Sequence, residues 1–310
     1  MMDYRKQKEN STLLKEIQPS INSYLRIGRR DPILFNWILY MSQNVHLSSI
    51  DKKYMDRLCI VKTKLTILIT LLDDIVDDKL IRNPKLFKHL IKIPFSKKIV
   101  LEDLTEKEKE YFNITKEIWD DIYSEIKKFP CFSEFEEILE FDLHQTINAM
   151  RYGLIINEKP EMANLLESLV YEHHSMIIII AGDLDLMCSP NFDKNELKYL
   201  REVLYISQQM AKIGNIYNTY PREILEGDIS TEPIIYHNQM QNLPVKDIQD
   251  ILVKNKMRIK SFDDLLSKRW EMYYKSLDVL SKNVKSVDMK KFKEIRKFIQ
   301  AEFKKKIDNW

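Results

Sequence analysis

Apolar residues recur every three or four positions along most of the chain, a spacing that predicts helices nearly throughout. Residues 54–82 read as one helix, with Leu58, Val61, Leu65, Leu68 and Leu72 on its apolar stripe. The stretch Asn83 to Lys97, containing Pro84 and Pro94, breaks it. A second helix runs from about Glu106 to Lys128 and stops at Pro130, whose ring removes a donor and clashes with the preceding turn. Ser133 reads as the cap of a third helix, with Glu136 completing a capping box, and this helix ends near Arg151, before Gly153. Residues 161–188 read as helix with a disturbance near the middle. Residues 194–226 form one long helix, entered through Asp193 and left at Gly227. Residues 228–245, with Pro233, Asn238, Asn242 and Pro244, are the largest loop-like block. Further helices complete the chain, the last with Phe292, Ile295, Ile299 and Phe303 on one stripe and lysines on the other. No convincing strand-period segment, internal repeat or dividing linker interrupts the pattern. It predicts one all-α domain over residues 1–310, with the first 15 or so residues outside the folded part.

Composition narrows this further. Only 5 Gly and 10 Pro punctuate 310 residues, too few for the tight turns of a Rossmann sheet, a P-loop protein or a β-sandwich. Hydrophobic residues make up 44% and charged residues 31%, which excludes a disordered or fibrous chain. The net charge of +2 gives no global field to attract nucleic acid. Cys59, Cys131 and Cys188 are far apart and odd in number, so they read as reduced thiols of a cytoplasmic protein. The longest apolar runs, Leu65 to Leu72 and Met176 to Ala181, fall short of the about 20 residues that span a bilayer. The basic last helix suggests contact with an anionic membrane surface, but Glu294, Glu302 and Asp308 dilute its charge and favour a solvated face.

Two constellations carry chemistry. The first is Leu71-Leu72-Asp73-Asp74-Ile75-Val76-Asp77-Asp78. On a helix Asp73 and Asp77 point the same way, with Asp74 and Asp78 beside them. Carboxylates so spaced repel unless a cation sits between them, and Mg²⁺ is commonly held by such groups together with substrate phosphate oxygens. A solvated acidic helix end is the competing reading. The second is Asn215, Thr219 and Glu223, at i, i+4 and i+8, an oxygen-only set on one helix face. Arg222 beside it offers a forked donor suited to phosphate. A merely polar helix face competes here, although Asn, Thr and a mid-helix Pro221 contradict local propensity.

An aspartate-rich motif followed about 140 residues later by N-x-x-x-[ST]-x-x-x-E resembles class I terpene synthases. Met150 to Gly153, Asp183 to Pro190 and Gly214 to Asp228 are similar to bacterial members, in particular kaurene-synthase-like diterpene cyclases. The resemblance implies antiparallel helices around a deep apolar pocket. It implies three Mg²⁺ ions, with Mn²⁺ as a substitute, holding the diphosphate of a linear prenyl substrate. Asp73 and Asp77 would bridge two ions with Asp74 in support; Asn215, Thr219 and Glu223 would hold the third, and Arg222 would contact diphosphate. The implied reaction ionises the substrate and cyclises it to a terpene hydrocarbon or alcohol, with C20 slightly favoured over C15. A chain-elongating prenyl diphosphate synthase and a non-catalytic helical binding protein are the alternatives, and a homodimer stays open.

The chain departs from the family in places. The diphosphate-sensing arginine, about 46 residues before Asn215, falls at Leu169, and Arg296 or Lys304 to Lys306 stand as substitutes. His173 and His174 lie near the family's helix break and read either as a diphosphate contact or as core-edge histidines. Asp120 and Asp121 read as a solvated face. Trp37, Phe141, Tyr152 and Tyr217 are candidates for an aromatic lining or for core packing, and Gly182 for a helix bend or close packing.

Overall fold

The computed structural model describes residues 12–241, 244, 247 and 260–293. Helices account for its regular structure, and no strand occurs among the described residues. In chain order they are α1 (Thr12–Leu25), α2 (Ile33–Asn44), α3 (Met55–Asp77), α4 (Pro84–Leu90), α5 (Glu106–Ile126) and α6 (Phe132–Glu158). There follow α7 (Leu165–Tyr171), α8 (Ile178–Met187), α9 (Leu197–Glu226), α10 (Glu232–Gln241) and α11 (Lys260–Leu280).

The central element is α3. Its residues from Leu58 to Val76 are buried on nearly every side, as expected of a helix that is apolar all round. It packs against α1, α2, α5 and α6, while α9 packs against α8 and α11. One cluster of buried side chains runs from Leu13 in α1 through α3, α5, α6 and α8 to Leu204 in α9. Each fully buried Leu or Ile in it contributes about 1.5–3 kcal/mol of transfer free energy. Two ion pairs cross this core. Lys62 on α3 pairs with Asp185 on α8, and Arg201 on α9 grips Asp142 on α6 through both terminal nitrogens, at 2.8 and 3.0 Å.

Most boundaries follow the sequence pattern, and five do not. α3 stops at Asp77, short of the expected residue 82, with Asp78 as its cap. Residues 12–15, expected outside the folded part, belong to α1, which opens at Thr12. Ser133 does not cap α6: that helix starts at Phe132, and Glu136 instead accepts from the Tyr123 hydroxyl at 2.9 Å. Gly153 does not end α6, which continues to Glu158; its bare Cα lets Ser230 and Val76 approach. The expected loop at 228–245 contains α10, with Pro233 in its first turn where a missing N–H is harmless. The disturbance near 170–180 is real. A tight 3₁₀ turn at Glu172–Met176 separates α7 from α8, and Ile177 there takes φ 50°.

Candidate functional site

The acidic motif falls at the carboxyl-terminal end of α3, and the Asn/Thr/Glu triplet at the corresponding end of α9. Backbone ties hold these two ends together. The Lys79 N–H donates to the Glu226 carbonyl at 3.0 Å, and the Arg82 side chain, which donates to the Val76 and Asp77 carbonyls at 2.7 Å each, also reaches the Gly227 carbonyl at 3.4 Å. Gly227 leaves α9 with φ 76°, a left-handed cap that favours glycine.

Between the two ends lies a cavity of about 90 Å³, open to solvent. Asp73, Asp77, Asn215, Arg222 and Glu223 line it. So do Glu172, Lys212 and Asp228, with Met150, Gly153 and Val76 among its apolar wall. Both helices end without a basic residue in the last turn. Their carbonyl ends carry partial negative charge, so carboxylates placed there compound it and create a demand for cations.

The electrostatics reflect that demand. Burial, with the neighbouring Asp74, lifts the Asp73 carboxyl to about 7 against the pull of Arg30. Asp77 rises well above the usual carboxylate range, first through burial and then through Asp228, Asp73 and Glu223. Glu223 is lifted to about 7 by burial and Asp228, opposed by Lys212. The Thr219 hydroxyl donates to the Asn215 carbonyl at 2.9 Å and lies 3.3 Å from its side-chain oxygen, so it braces the triplet rather than lining the cavity.

Three expectations are corrected. Asp74, only 2% exposed, faces away from the cavity. It accepts from the Tyr24 hydroxyl at 2.7 Å and the Arg29 N–H at 3.1 Å, and pairs with Arg30 at 3.0 Å. His173 and His174 lie outside the cavity lining, against Tyr205 of α9, and burial pushes His173 down to about 3. The residue that this turn contributes to the cavity is Glu172. The lining is polar rather than deep and apolar, and none of Trp37, Phe141, Tyr152 or Tyr217 belongs to it. Asp120 and Asp121 sit as read, on a charged face with Lys116 and Lys64.

Lys212 and Arg30 escaped the sequence reading. Lys212 pairs with Glu172 at 3.0 Å and brings into the cavity the positive charge that Leu169 lacks. Arg30 joins Asp74 to Glu226, each at 3.0 Å. Their only trace in the sequence is negative: the carboxylates of the two motifs outnumber the cations beside them, Lys79, Arg82 and Arg222. Arg296 and Lys304 to Lys306 lie outside the described residues.

Among the described residues, no three His, Cys, Asp or Glu side chains converge tightly enough to hold a metal ion unaided. The donor set is nevertheless oxygen-only and spread over two facing helices. That chemistry suits a hard cation held partly by substrate phosphate oxygens, as Mg²⁺ usually is. Asp73, Asp77, Asn215 and Glu223 are the lining residues that could hold it. No helix among the described residues is long and apolar enough to cross a membrane. No protein-family model matches the chain, and no curated protein matches it.

Proposed function

We propose that the chain is a divalent-cation-dependent enzyme that ionises a linear prenyl diphosphate and cyclises the resulting cation. A C20 substrate is slightly favoured over C15. One observation carries the reading: two motifs about 140 residues apart, on α3 and α9, line a single cavity with Lys212 and Arg222. Asp73 and Asp77 on one side, and Asn215 and Glu223 on the other, would hold Mg²⁺. Bound there, Mg²⁺ supplies positive charge that stabilises diphosphate as a leaving group. Lys212 and Arg222 orient the diphosphate and take up part of its charge. Thr219 braces Asn215, and Asp74 secures the back of α3.

Incubation with C10, C15, C20 and C25 diphosphates and Mg²⁺, followed by mass analysis of extracted products, tests this. Terpene hydrocarbon or alcohol with released diphosphate is expected, and intact substrate throughout would reject it. The small polar cavity favours a second reading, a non-catalytic protein that binds a phosphorylated anion with its cation. Saturable diphosphate binding without turnover of any chain length would establish that one.

A further inference from the structure

We propose that Arg30 is a positioning residue, a tethered counter-ion that holds the ends of α3 and α9 at the spacing where their carboxylates can share a divalent cation. Its toward-metal part rests on the cation site proposed above; its positioning part does not.

The placement of Arg30 is built from the sequence upward. Between α1 and α2 the chain turns through Gly28, where an added Cβ would lie 2.2–2.6 Å from the Tyr24 ring. Only glycine lets that buried ring fold beneath the turn, where it also packs edge-on against Phe35 at 4.7 Å. The Tyr24 oxygen then accepts the N–H groups of Arg29 at 3.2 Å and Arg30 at 2.8 Å, while its own proton goes to Asp74. The backbone of the turn is therefore fixed to α3 before the arginine side chain is considered.

From that base the guanidinium enters the gap between the helices. Its Nε lies 3.0 Å from Asp74 and its Nη2 3.9 Å from Asp77, both on α3. Its Nη1 reaches the two Glu226 oxygens on α9 at 3.0 and 3.3 Å. A planar fork can span carboxylates on separate elements in this way, and a lysine point charge cannot. Asp73, Asp77 and Glu223 line one small cavity on the other side, and in their ionised forms they repel one another. Without a cation at the back, that repulsion spreads the helix ends apart. Arg30 is only 14% exposed and lies outside the cavity lining, so it acts through the helices and not on a ligand directly.

Two measurements on the full chain test the proposal, each with Arg30→Gln, the milder Arg30→Lys and Arg201→Gln. Arg201→Gln removes another arginine clamp, half-buried and away from the cavity. Hydrogen exchange without metal should speed up in residues 73–83 and 222–229 of Arg30→Gln, partly recover in Arg30→Lys, and stay at the wild-type rate there in Arg201→Gln. Mn²⁺ titration by electron paramagnetic resonance, with inorganic diphosphate present, should show affinity at least tenfold weaker in Arg30→Gln and unchanged in Arg201→Gln. Simple charge removal predicts the opposite sign, tighter Mn²⁺ binding, and that result would overturn the proposal, as would equal affinity. Unchanged exchange in the two segments overturns it as well. If the wild-type chain binds no Mn²⁺ while the exchange difference appears, the cation site fails and the positioning role stands.

Discussion

At the residue scale, the aspartate motif divides by helical geometry. Asp73 and Asp77 share the cavity face, while Asp74 and Asp78 share the opposite one, where Arg30 and Arg29 meet them. The i, i+4 spacing made the pairing legible, but not which pair faces inward. Asp73 has ion-pair help only at a distance, and its carboxyl is lifted to about 7 by burial, then Asp74. Between about 4 in the unfolded chain and about 7 in the folded one, the folded state binds the extra proton. Stability from this group therefore falls as pH rises through that window. Buried His173 and half-buried His46, held down to about 3 and about 4, work in the opposite sense below about pH 6.5, so the variant is compared with wild type at each pH. In EDTA, Asp73→Asn should melt higher than wild type at pH 8, by roughly 2 °C or more, and by a clearly smaller margin at pH 4.5, near the foot of that window. Thermal melts at the two pH values check this. The same variant, and Glu223→Gln, should lose turnover by about a hundredfold or more, measured as diphosphate release under saturating Mg²⁺. A stabler but inactive Asp73→Asn would mark this carboxylate as kept for function at the expense of the fold.

Element by element, the strongest local signals translated well. Asp193 accepts from the Asn195 N–H at the entry to α9, and Gly227 caps its exit, whereas the capping box read at Ser133 and Glu136 does not form. Signals that depend on a neighbour did not translate. Gly153 looked like a stop and is a packing glycine, because what matters there is Ser230 from another segment. Gly182 offered a bend or a close approach, and the structure shows the approach: α8 continues unbroken through it, and an added Cβ would meet Leu204 Cδ1 at 2.4 Å. In an open helix Gly→Ala gains about 0.5–1 kcal/mol. Here the forced overlap with a buried leucine costs about 1–3 kcal/mol. Gly182→Ala should therefore lower the melting temperature by a few degrees despite its better helix propensity. Urea titration checks the sign, with a lower midpoint at unchanged slope as the expected outcome.

For the whole molecule, periodicity and scarce glycine made the all-helical architecture legible, and the motif pair pointed to two regions that meet in space. The counter-charges were not legible, because Arg30 reaches Glu226 across 196 positions and only the fold brings them together. Nor was the cavity's size. About 90 Å³ of polar space suits a small anion with its cations, whereas an isoprenoid chain needs a pocket of roughly 300 Å³ or more. On the proposed reading, a prenyl substrate would have to displace part of the wall. The weakest part is the 3₁₀ turn at Glu172–Met176, where the α-helical ladder is interrupted and Ile177, a β-branched residue, is held at φ 50°. Glu172 in that turn lines the cavity, and α10 packs on the adjoining α7, with the Leu165 N–H donating to Gln239 at 2.8 Å. Opening at the turn should thus carry α7 and α10 with it, while α3 and α9 stay tied by Arg30 and the Lys79 N–H. Hydrogen exchange with Mg²⁺ and inorganic diphosphate, compared with Mg²⁺ and a non-ionisable C15 or C20 thiodiphosphate, separates these motions. The inorganic ligand should protect the ends of α3 and α9 alone. The prenyl analogue should also change exchange across residues 165–178 and 232–241. Identical patterns with both ligands would show that no wall moves, and that the cavity binds the diphosphate without admitting the chain.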